Sequence, residues 1–295
     1  MPSFVRSIHL LKLRRNLRIN LLMKLTKRLH ILILSFLLIV PPVSIADTFT
    51  VGVVPQFDIK TIFSIWQPIL DVLEEKTGHK FVLKGSKDIP TFEKSFSKGD
   101  FDFAYMNPYH YTISDNYQPI ARDHGRKLYG ILVINADGDI QDVQQLNEKT
   151  VVFPAPNALG ASLMIRSELE QKYGISFTPK YVNTHSSVYL NVGLNLASAG
   201  GGVQKTFNQQ HADVKDNVRI LLKTDSVEPH PFTAKLDLNP EIVKKVTEAL
   251  LQMGQHEEYQ KLLAKVPFKK IGDATDHDYD QVRRLNLERY YVSPK

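Results

Sequence analysis

The chain has 295 residues, of which 43% are hydrophobic and 23% are charged, and its formal charge is +6. This composition is ordinary for one large or two modest globular domains and excludes general disorder. The charge does not indicate a nucleic-acid partner, because residues 1–46 hold eight of the 37 basic residues and no acidic one, which leaves 29 basic against 31 acidic residues in the remainder.

The N-terminal segment has the layout of an export signal preceded by an extension. A basic flank at 24–28 is followed by an apolar stretch at 31–40 and by small residues at 44–46. An apolar stretch this short does not span a bilayer, which needs about 20 residues. We expect translation to start at Met23 and the mature protein to start near Asp47. The alternatives are an uncleaved anchor or a buried core helix.

The chain contains no cysteine. This excludes disulfides, thiolate zinc sites and a cysteine nucleophile. It also excludes a lipid anchor on an N-terminal cysteine. We therefore expect a free, exported protein that is held together by packing alone.

Strand-like and helix-like segments alternate from residue 47 to the C-terminus. The predicted strands are residues 49–54, 80–84, 101–105, 128–135, 150–153, 180–182 and 218–222. The predicted helices are one between an Asp58 cap and Gly78, residues 90–98, one ending at Tyr173, one from a Ser186 cap to about 197, and residues 240–253, 256–265 and 278–289. Pro68 predicts a kink or a later start for the first helix. The alternation indicates an α/β fold with mostly parallel sheets.

Ligands of such sheets bind beyond the carboxyl ends of the strands, where helices begin. The segments that follow predicted strands are residues 55–58, 105–111, 154–162, 183–187 and 224–233. In the second of these, Tyr105 and Asn107 are expected in a ligand cleft, because ring and amide groups orient a small ligand while excluding water. Tyr111 is expected to pack instead.

Five ordered segments carry a family resemblance: GVVPQFD (52–58), IWQP (65–68), GDFDFAYMNPYHY (99–111), THSSVY (184–189) and AGGGVQKTF (199–207). Over residues 48–290 the chain resembles the phosphate, phosphite and phosphonate family of periplasmic substrate-binding proteins of ABC importers. The resemblance implies a two-lobed fold of the second periplasmic class (a Venus flytrap), with lobe one at 47–132 plus 229–295 and lobe two at 133–228. It also implies a periplasmic location, a small oxyanion in the cleft between the lobes, an ABC permease as partner and no cofactor.

The resemblance assigns particular positions to the cleft. These are Phe57 or its neighbour Gln56, and Tyr105, Asn157, Ala158, Leu159, Gly160, His185 and His230. The oxyanion loop of the family carries a run of hydroxyl side chains, which residues 157–160 lack. His230 falls at or near the acid that phosphonate binders use toward the amine of their ligand. Both departures argue against 2-aminoethylphosphonate as the ligand.

Some candidates rest on their own chemistry as well. A helix start near Gly160 offers unpaired amides and close backbone approach to an anion. Residues 200–202 are predicted to form a second glycine-rich turn, which makes Gly201 either part of a tight turn or part of an anion-binding nest. His185 can donate to an oxyanion. His230 lies between two prolines and is either a ligand residue or a structural hinge residue.

We consider three functions for this sequence. The first is a solute-binding protein that feeds an importer. The second is a periplasmic sensory subunit with the same closing motion, which signals to a membrane kinase or cyclase. The third is a hydrolase that uses a histidine, and it is disfavoured because the sequence has no nucleophile elbow, no metal-ligand pair at helical spacing and no paired carboxylates at a strand end.

Overall fold

A computed structural model describes Met23 and residues 46–266 and 268–293. The predicted export signal and its extension, apart from Met23 and Ala46, lie outside these residues. Within the described part, none of the helices combines the length and the apolar character that crossing a membrane requires.

The described chain forms eleven strands. They are β1 Thr48–Val53, β2 Lys80–Lys84, β3 Phe103–Tyr105, β4 Tyr117–Asp123, β5 Gly130–Asn135, β6 Thr150–Phe153, β7 Thr178–Tyr181, β8 Ala199–Val203, β9 Val218–Lys223, β10 Phe232–Lys235 and β11 Ile271–Gly272.

The α-helices are α1 Ile59–Thr77, α2 Ile89–Ser97, α3 Pro108–Thr112, α4 Met164–Ser167, α5 His185–Gly193, α6 Gln204–Asn208, α7 Ala212–Lys215, α8 Pro240–Met253, α9 Glu257–Leu263 and α10 Asp280–Arg283. Two π-helical segments, Leu159–Leu163 and Glu168–Lys172, flank α4 and continue it in both directions. The segment Leu159–Leu163 is called the π turn below. Three 3-10 helices complete the described part: Val143–Leu146, Asp276–Tyr279 and Leu287–Tyr290.

The strands form two mixed sheets, which confirms the predicted α/β class. The sheets are not mostly parallel as expected, because four of the described strand pairs are parallel and five are antiparallel. The first sheet has the order β11-β4-β10-β3-β1-β2, and the second has the order β7-β6-β8-β5-β9. The parallel pairs are those of β1 with β2 and β3 and those of β6 with β7 and β8. The antiparallel pairs all involve β5, β10 or the short edge strand β11. Strands β5 and β10 are the first that the chain forms after it passes from one sheet to the other.

The two sheets take their strands from different parts of the chain. The first sheet uses residues 48–123 and 232–272, and the second uses residues 130–223. The division into lobes at 132 and 228 is a prediction from the resemblance. Because β5 belongs wholly to the second sheet, we propose that the first boundary precedes residue 130.

The first helix forms where its end signals predict. The Asp58 carboxylate accepts a hydrogen bond from the amide of Thr61 (3.0 Å), and Gly78 closes the helix with φ 74°. The helix starts directly after its cap and runs past Pro68 to Thr77, so the alternative of a later start is wrong. It buries Trp66 against Tyr105 and Phe232 of the first sheet, with ring centroids 5.0 and 5.9 Å apart.

Several local predictions need correction. The predicted C-terminal helix is interrupted at Asn286, which adopts a left-handed conformation with φ 48°. The helix that was expected to begin after a Ser186 cap is capped instead by Thr184, whose side chain accepts from the amide of Ser187, so His185 is its first residue. Strands β4, β8, β10 and β11 were not predicted.

Candidate ligand-binding site

A narrow cavity of about 20 Å³ lies where loops of both sheets meet. It is lined by Val54, Gln56, Ile89, Asn107, Leu128, Ala158, Leu159, Gly160, Ala161, His185, Val203 and His230. Seven of these twelve residues were predicted from the sequence as ligand residues: Gln56, Asn107, Ala158, Leu159, Gly160, His185 and His230. A water molecule needs at least about 10–15 Å³ of such space. The narrow cavity therefore has room for about one water.

The first residues of the π turn, Leu159, Gly160 and Ala161, line the narrow cavity. Ala158 precedes the turn and gives it no side-chain cap. The amides of Ser162 and Leu163 donate to the Ala158 carbonyl (2.7 and 3.1 Å). Among the described residues, the amides of 159–161 have no partner outside the turn. Helix starts of this kind leave donors and a partial positive charge free for an anion.

Glycines allow the π turn to lie close against the second sheet. A Cβ atom on Gly201 would lie 2.0 Å from the carbonyl oxygen of Ala161, and one on Gly130 would lie 2.1 Å from that of Gly160. The prediction of a glycine-rich turn at 200–202 is therefore wrong, since these residues form the buried strand β8. Gly201 faces the π turn and lines neither this cavity nor the wider one described below, so its contribution is close packing.

His230 and Gln56 close one side of the narrow cavity. The amide nitrogen of Gln56 lies 3.0 Å from Nε2 of His230. Because an amide nitrogen only donates, Nε2 is the acceptor and the ring proton is on Nδ1. Burial, assisted by His110, Lys205 and His185, lowers the pKa of His230 to about 3. His230 is therefore a neutral ring at physiological pH.

His185 closes another side and is held by a hydroxyl chain. Its Nδ1 lies 3.1 Å from Oγ1 of Thr206, which in turn donates to the carbonyl of Val203 (3.0 Å) and pairs with the Tyr189 hydroxyl (2.8 Å). Within the described chain, no residue pairs with Nε2 of His185. Burial lowers the pKa of His185 to about 4, so this ring is also neutral at physiological pH.

Tyr105 and Phe57 lie behind the narrow cavity and do not line it. Tyr105 is 2% exposed and stacks on the His230 ring, with centroids 5.3 Å apart. Burial raises its pKa well above the usual range. The Phe57 ring lies under the Lys205 ammonium at 5.8 Å. Both aromatic residues support the walls of the site from the second layer.

Asn107 and Asn157 belong to a buried polar network beside the narrow cavity. Asn107 caps α3 by accepting from the His110 amide (2.8 Å), and its Nδ2 donates to the Asn157 carbonyl (3.3 Å). The Asn157 side chain donates to Glu93 (3.1 Å) and is paired with both backbone groups of Val292 (2.7 and 2.9 Å). Its side chain is thus used within the protein, and Asn157 lines neither cavity.

A wider cavity of about 490 Å³ adjoins the narrow one. It is lined by Gln56, Arg126, Lys127, Leu128, Tyr129, Val203, Gln204, Lys205, Thr206, Asn208, Pro229 and His230. Gln56, Leu128, Val203 and His230 line both cavities. The wider cavity has three cationic lining residues and no carboxylate among them.

The three cationic residues of the wider cavity were not predicted from the sequence. Lys205 lies two residues after β8, within the segment 199–207 that carried the family resemblance. Its position could therefore have marked it as a candidate ligand residue. Arg126 and Lys127 lie between the sheets in an irregular segment and had no local pattern to mark them. Leu128 and Val203 were missed because apolar residues in a strand are normally read as core.

The chain is similar over most of its length to proteins of known function. A family model described as ABC transporter, phosphonate, periplasmic substrate-binding protein matches residues 51–279. A phosphate-import protein, PhnD, from Mycolicibacterium smegmatis is 20% identical over 273 residues, which cover 81% of this chain and 85% of that protein.

Two solved structures show the same fold. A binding protein component of an ABC phosphonate transporter from Pseudomonas aeruginosa has a TM-score of 0.74 at 14% identity, over 85% of this chain and 90% of its own. PhnD1 from Prochlorococcus marinus, solved in complex with methylphosphonate, has a TM-score of 0.75 at 12% identity, over 83% of this chain and 99% of its own.

Proposed function

Since the chain belongs to the periplasmic substrate-binding proteins of phosphonate ABC transporters, we propose that it captures a small phosphorus oxyanion in the narrow cavity and delivers it to a membrane permease. One observation carries the proposal. The uncapped start of the π turn, two neutral histidines and the amide residues Gln56 and Asn107 line one cavity whose lining residues include no carboxylate.

The donors suit an anion with a protonated oxygen. Amides at residues 159–161 can donate to ionised oxygens of a phosphate or phosphonate group. His185 has its Nδ1 engaged by Thr206, so Nε2 is the ring atom that a ligand can reach. In the neutral ring Nε2 accepts from a P–O–H group, and in the protonated ring it donates to P–O⁻. Phosphate, phosphite and simple phosphonates all carry both kinds of oxygen.

The size of the narrow cavity requires movement. About 20 Å³ holds a water but not a tetrahedral oxyanion. We infer that the two sheets separate to admit the ligand and close on it, because the donors that surround the cavity come from loops of both. A ligand that bridges the two halves binds the closed form more tightly and shifts the population toward it.

The lining disfavours an aminophosphonate. A ligand ammonium group needs a carboxylate or several carbonyl acceptors when it is buried. Neither cavity has a carboxylate among its described lining residues. Phosphate, phosphite and methylphosphonate therefore fit better than 2-aminoethylphosphonate.

Import is favoured over the sensory alternative. The family model and the P. aeruginosa structure are both described as components of ABC transporters, and the M. smegmatis relative as an import protein. None of these descriptions names a sensor. The proposed activity is binding and delivery, without a chemical step.

The test is a thermal-shift and calorimetric comparison of residues 47–295 with phosphate, phosphite, methylphosphonate and sulfate. A ligand at 100 times its Kd stabilises a protein of this size by about 2.7 kcal/mol and raises its Tm by roughly 5–10 °C. We expect at least one phosphorus oxyanion to do so, and we expect His185→Ala to abolish the shift. A cooperative melt that none of the four anions moves would contradict the proposal.

A further inference from the structure

The wider cavity is too large to be the place of the oxyanion alone. Its volume is about 490 Å³, against about 20 Å³ for the narrow cavity. Cavities of roughly 300–1,000 Å³ typically hold organic ligands. Since Gln56 and His230 line both cavities, a ligand held in the narrow one can extend directly into the wider one.

The charges of the wider cavity are unbalanced. Lys127 is paired with Glu228 at its rim. Arg126 and Lys205 have no carboxylate partner anywhere in the described chain, and the Lys205 ammonium donates only to the carbonyl of Lys265 (3.0 Å). Two cations in one cavity without counter-charges favour an anionic occupant.

The charged form of Lys205 is destabilised by its surroundings. Burial, together with the nearby positive charge of Arg126, lowers its pKa to about 8. An anion beside Lys205 removes this penalty, because it supplies the missing opposite charge in a poorly solvated place. The remaining lining combines apolar residues with polar and aromatic ones such as Tyr129, Gln204 and Asn208. These groups can orient a short organic chain.

We propose that the wider cavity holds the substituent of an organic phosphonate or phosphate ester, and that this substituent carries a second negative charge, such as a carboxylate. The phosphorus group occupies the narrow cavity, and Lys205 and Arg126 hold the second anion. This inference rests on the proposed oxyanion function and narrows its ligand class to bifunctional anions.

The test compares four ligands by calorimetry at pH 7: methylphosphonate, phosphonoacetate, 3-phosphonopropionate and 2-aminoethylphosphonate. We expect at least one carboxylated ligand to bind about tenfold more tightly than methylphosphonate, the gain of one charge-assisted contact. We expect 2-aminoethylphosphonate to bind more weakly than methylphosphonate.

Variants assign the effect to the cavity. Lys205→Gln and Arg126→Gln should each remove most of the advantage of the carboxylated ligand and leave the affinity for methylphosphonate within about twofold. Lys180→Gln is the matched control, because Lys180 is an exposed lysine on β7 and lines neither cavity. It should change neither affinity.

The possible outcomes distinguish a failure of the second subsite from a failure of the oxyanion site. If methylphosphonate binds and the carboxylated ligands bind no more tightly, the second subsite is wrong and the oxyanion site stands. If Lys205→Gln weakens all ligands equally, Lys205 contacts the phosphorus group and the second subsite is also wrong. If neither these ligands nor inorganic phosphate and phosphite bind, both proposals fail.

Discussion

His185 and His230 are the residues whose ionisation links the site to stability. Burial lowers their pKa values from 6.5 to about 4 and about 3. Between these values and 6.5 the unfolded chain binds protons that the folded protein does not, so stability rises with pH across this window and is lost as the pH falls through it. The same burial that makes the rings neutral donors and acceptors therefore destabilises the protein in acid.

We predict that the free energy of unfolding falls by about 2 kcal/mol for each of these histidines between pH 7 and pH 5. His185→Gln removes one titrating ring and should flatten this dependence by that amount. Urea unfolding at several pH values measures it. His211→Gln, which changes an exposed histidine, is the control. Equal slopes for wild type and both variants would show that His185 titrates normally in the folded protein.

The ionisation of Lys205 makes ligand affinity depend on pH. Affinity should fall as the pH rises, whereas the two histidines make stability rise with pH. The Lys205 pKa of about 8 means that the ammonium is present below pH 8 and is lost above it. An anionic ligand group at Lys205 stabilises the charged form. We predict constant affinity for a carboxylated phosphonate up to about pH 7.5 and a decline between pH 8 and 10. Calorimetry should give no such decline with Lys205→Gln, and methylphosphonate corrects for other titrating groups.

Gly201 determines how closely the π turn packs against the second sheet. A Cβ at this position meets the Ala161 carbonyl at 2.0 Å and the Phe153 ring at 2.6 Å. We predict that Gly201→Ala displaces the π turn, costs about 1–3 kcal/mol of stability and weakens oxyanion binding at least tenfold.

Gly174→Ala is the control for that change. A Cβ there meets nothing within 4 Å, and only the left-handed backbone (φ 64°) opposes it. The expected cost is about 1 kcal/mol, with unchanged binding. Urea unfolding and calorimetry of both variants make the comparison. Oxyanion affinity that survives Gly201→Ala would mean that the π turn does not bind the ligand.

The C-terminal segment is attached to the π-turn region by a second set of contacts. Asn157 pairs with both backbone groups of Val292. Arg166 donates to the carbonyls of Pro156 (3.1 Å) and Tyr290 (2.9 Å). The C-terminal segment therefore holds the loop that precedes the π turn, although the two are more than 120 residues apart in the chain.

We predict that Asn157→Ala costs about 2–3 kcal/mol, because it leaves a buried Glu93 oxygen and two backbone groups without partners. Asn208→Ala removes an exposed asparagine and should cost less than about 0.5 kcal/mol. Chemical denaturation of the two variants is the measurement. Similar small losses in both would indicate that water replaces the Asn157 contacts.

How far each element could be predicted depends on what sets its conformation. Helix α1 was predictable because its Asp58 cap and Gly78 end are local signals. Strand β8 was not, because its glycines are required by contacts with the π turn, and a glycine run alone is typical of a turn. Similarly, seven of the twelve residues that line the narrow cavity were predicted, and all seven lie in segments that follow predicted strands. Nothing in the sequence indicates that the side chain of Asn157 is already paired with Val292.

The two connections between the sheets run side by side. Leu128 and Val227 exchange backbone hydrogen bonds (2.9 and 2.8 Å), and the Gly130 amide donates to Thr224 (2.9 Å). Paired connecting segments of this kind can act as a hinge that absorbs a change of backbone angles. We propose that opening about them separates the π turn and His185 from Gln56, Asn107 and His230.

A crystal structure of residues 47–295 with methylphosphonate would show directly where the phosphorus group binds. We expect the phosphorus group in the narrow cavity, with its oxygens within hydrogen-bonding distance of the π-turn amides and of Nε2 of His185, and with groups from both sheets in contact with it. A phosphonate bound elsewhere, or contacting only one sheet, would show that the ligand does not bridge the two sheets in this cavity.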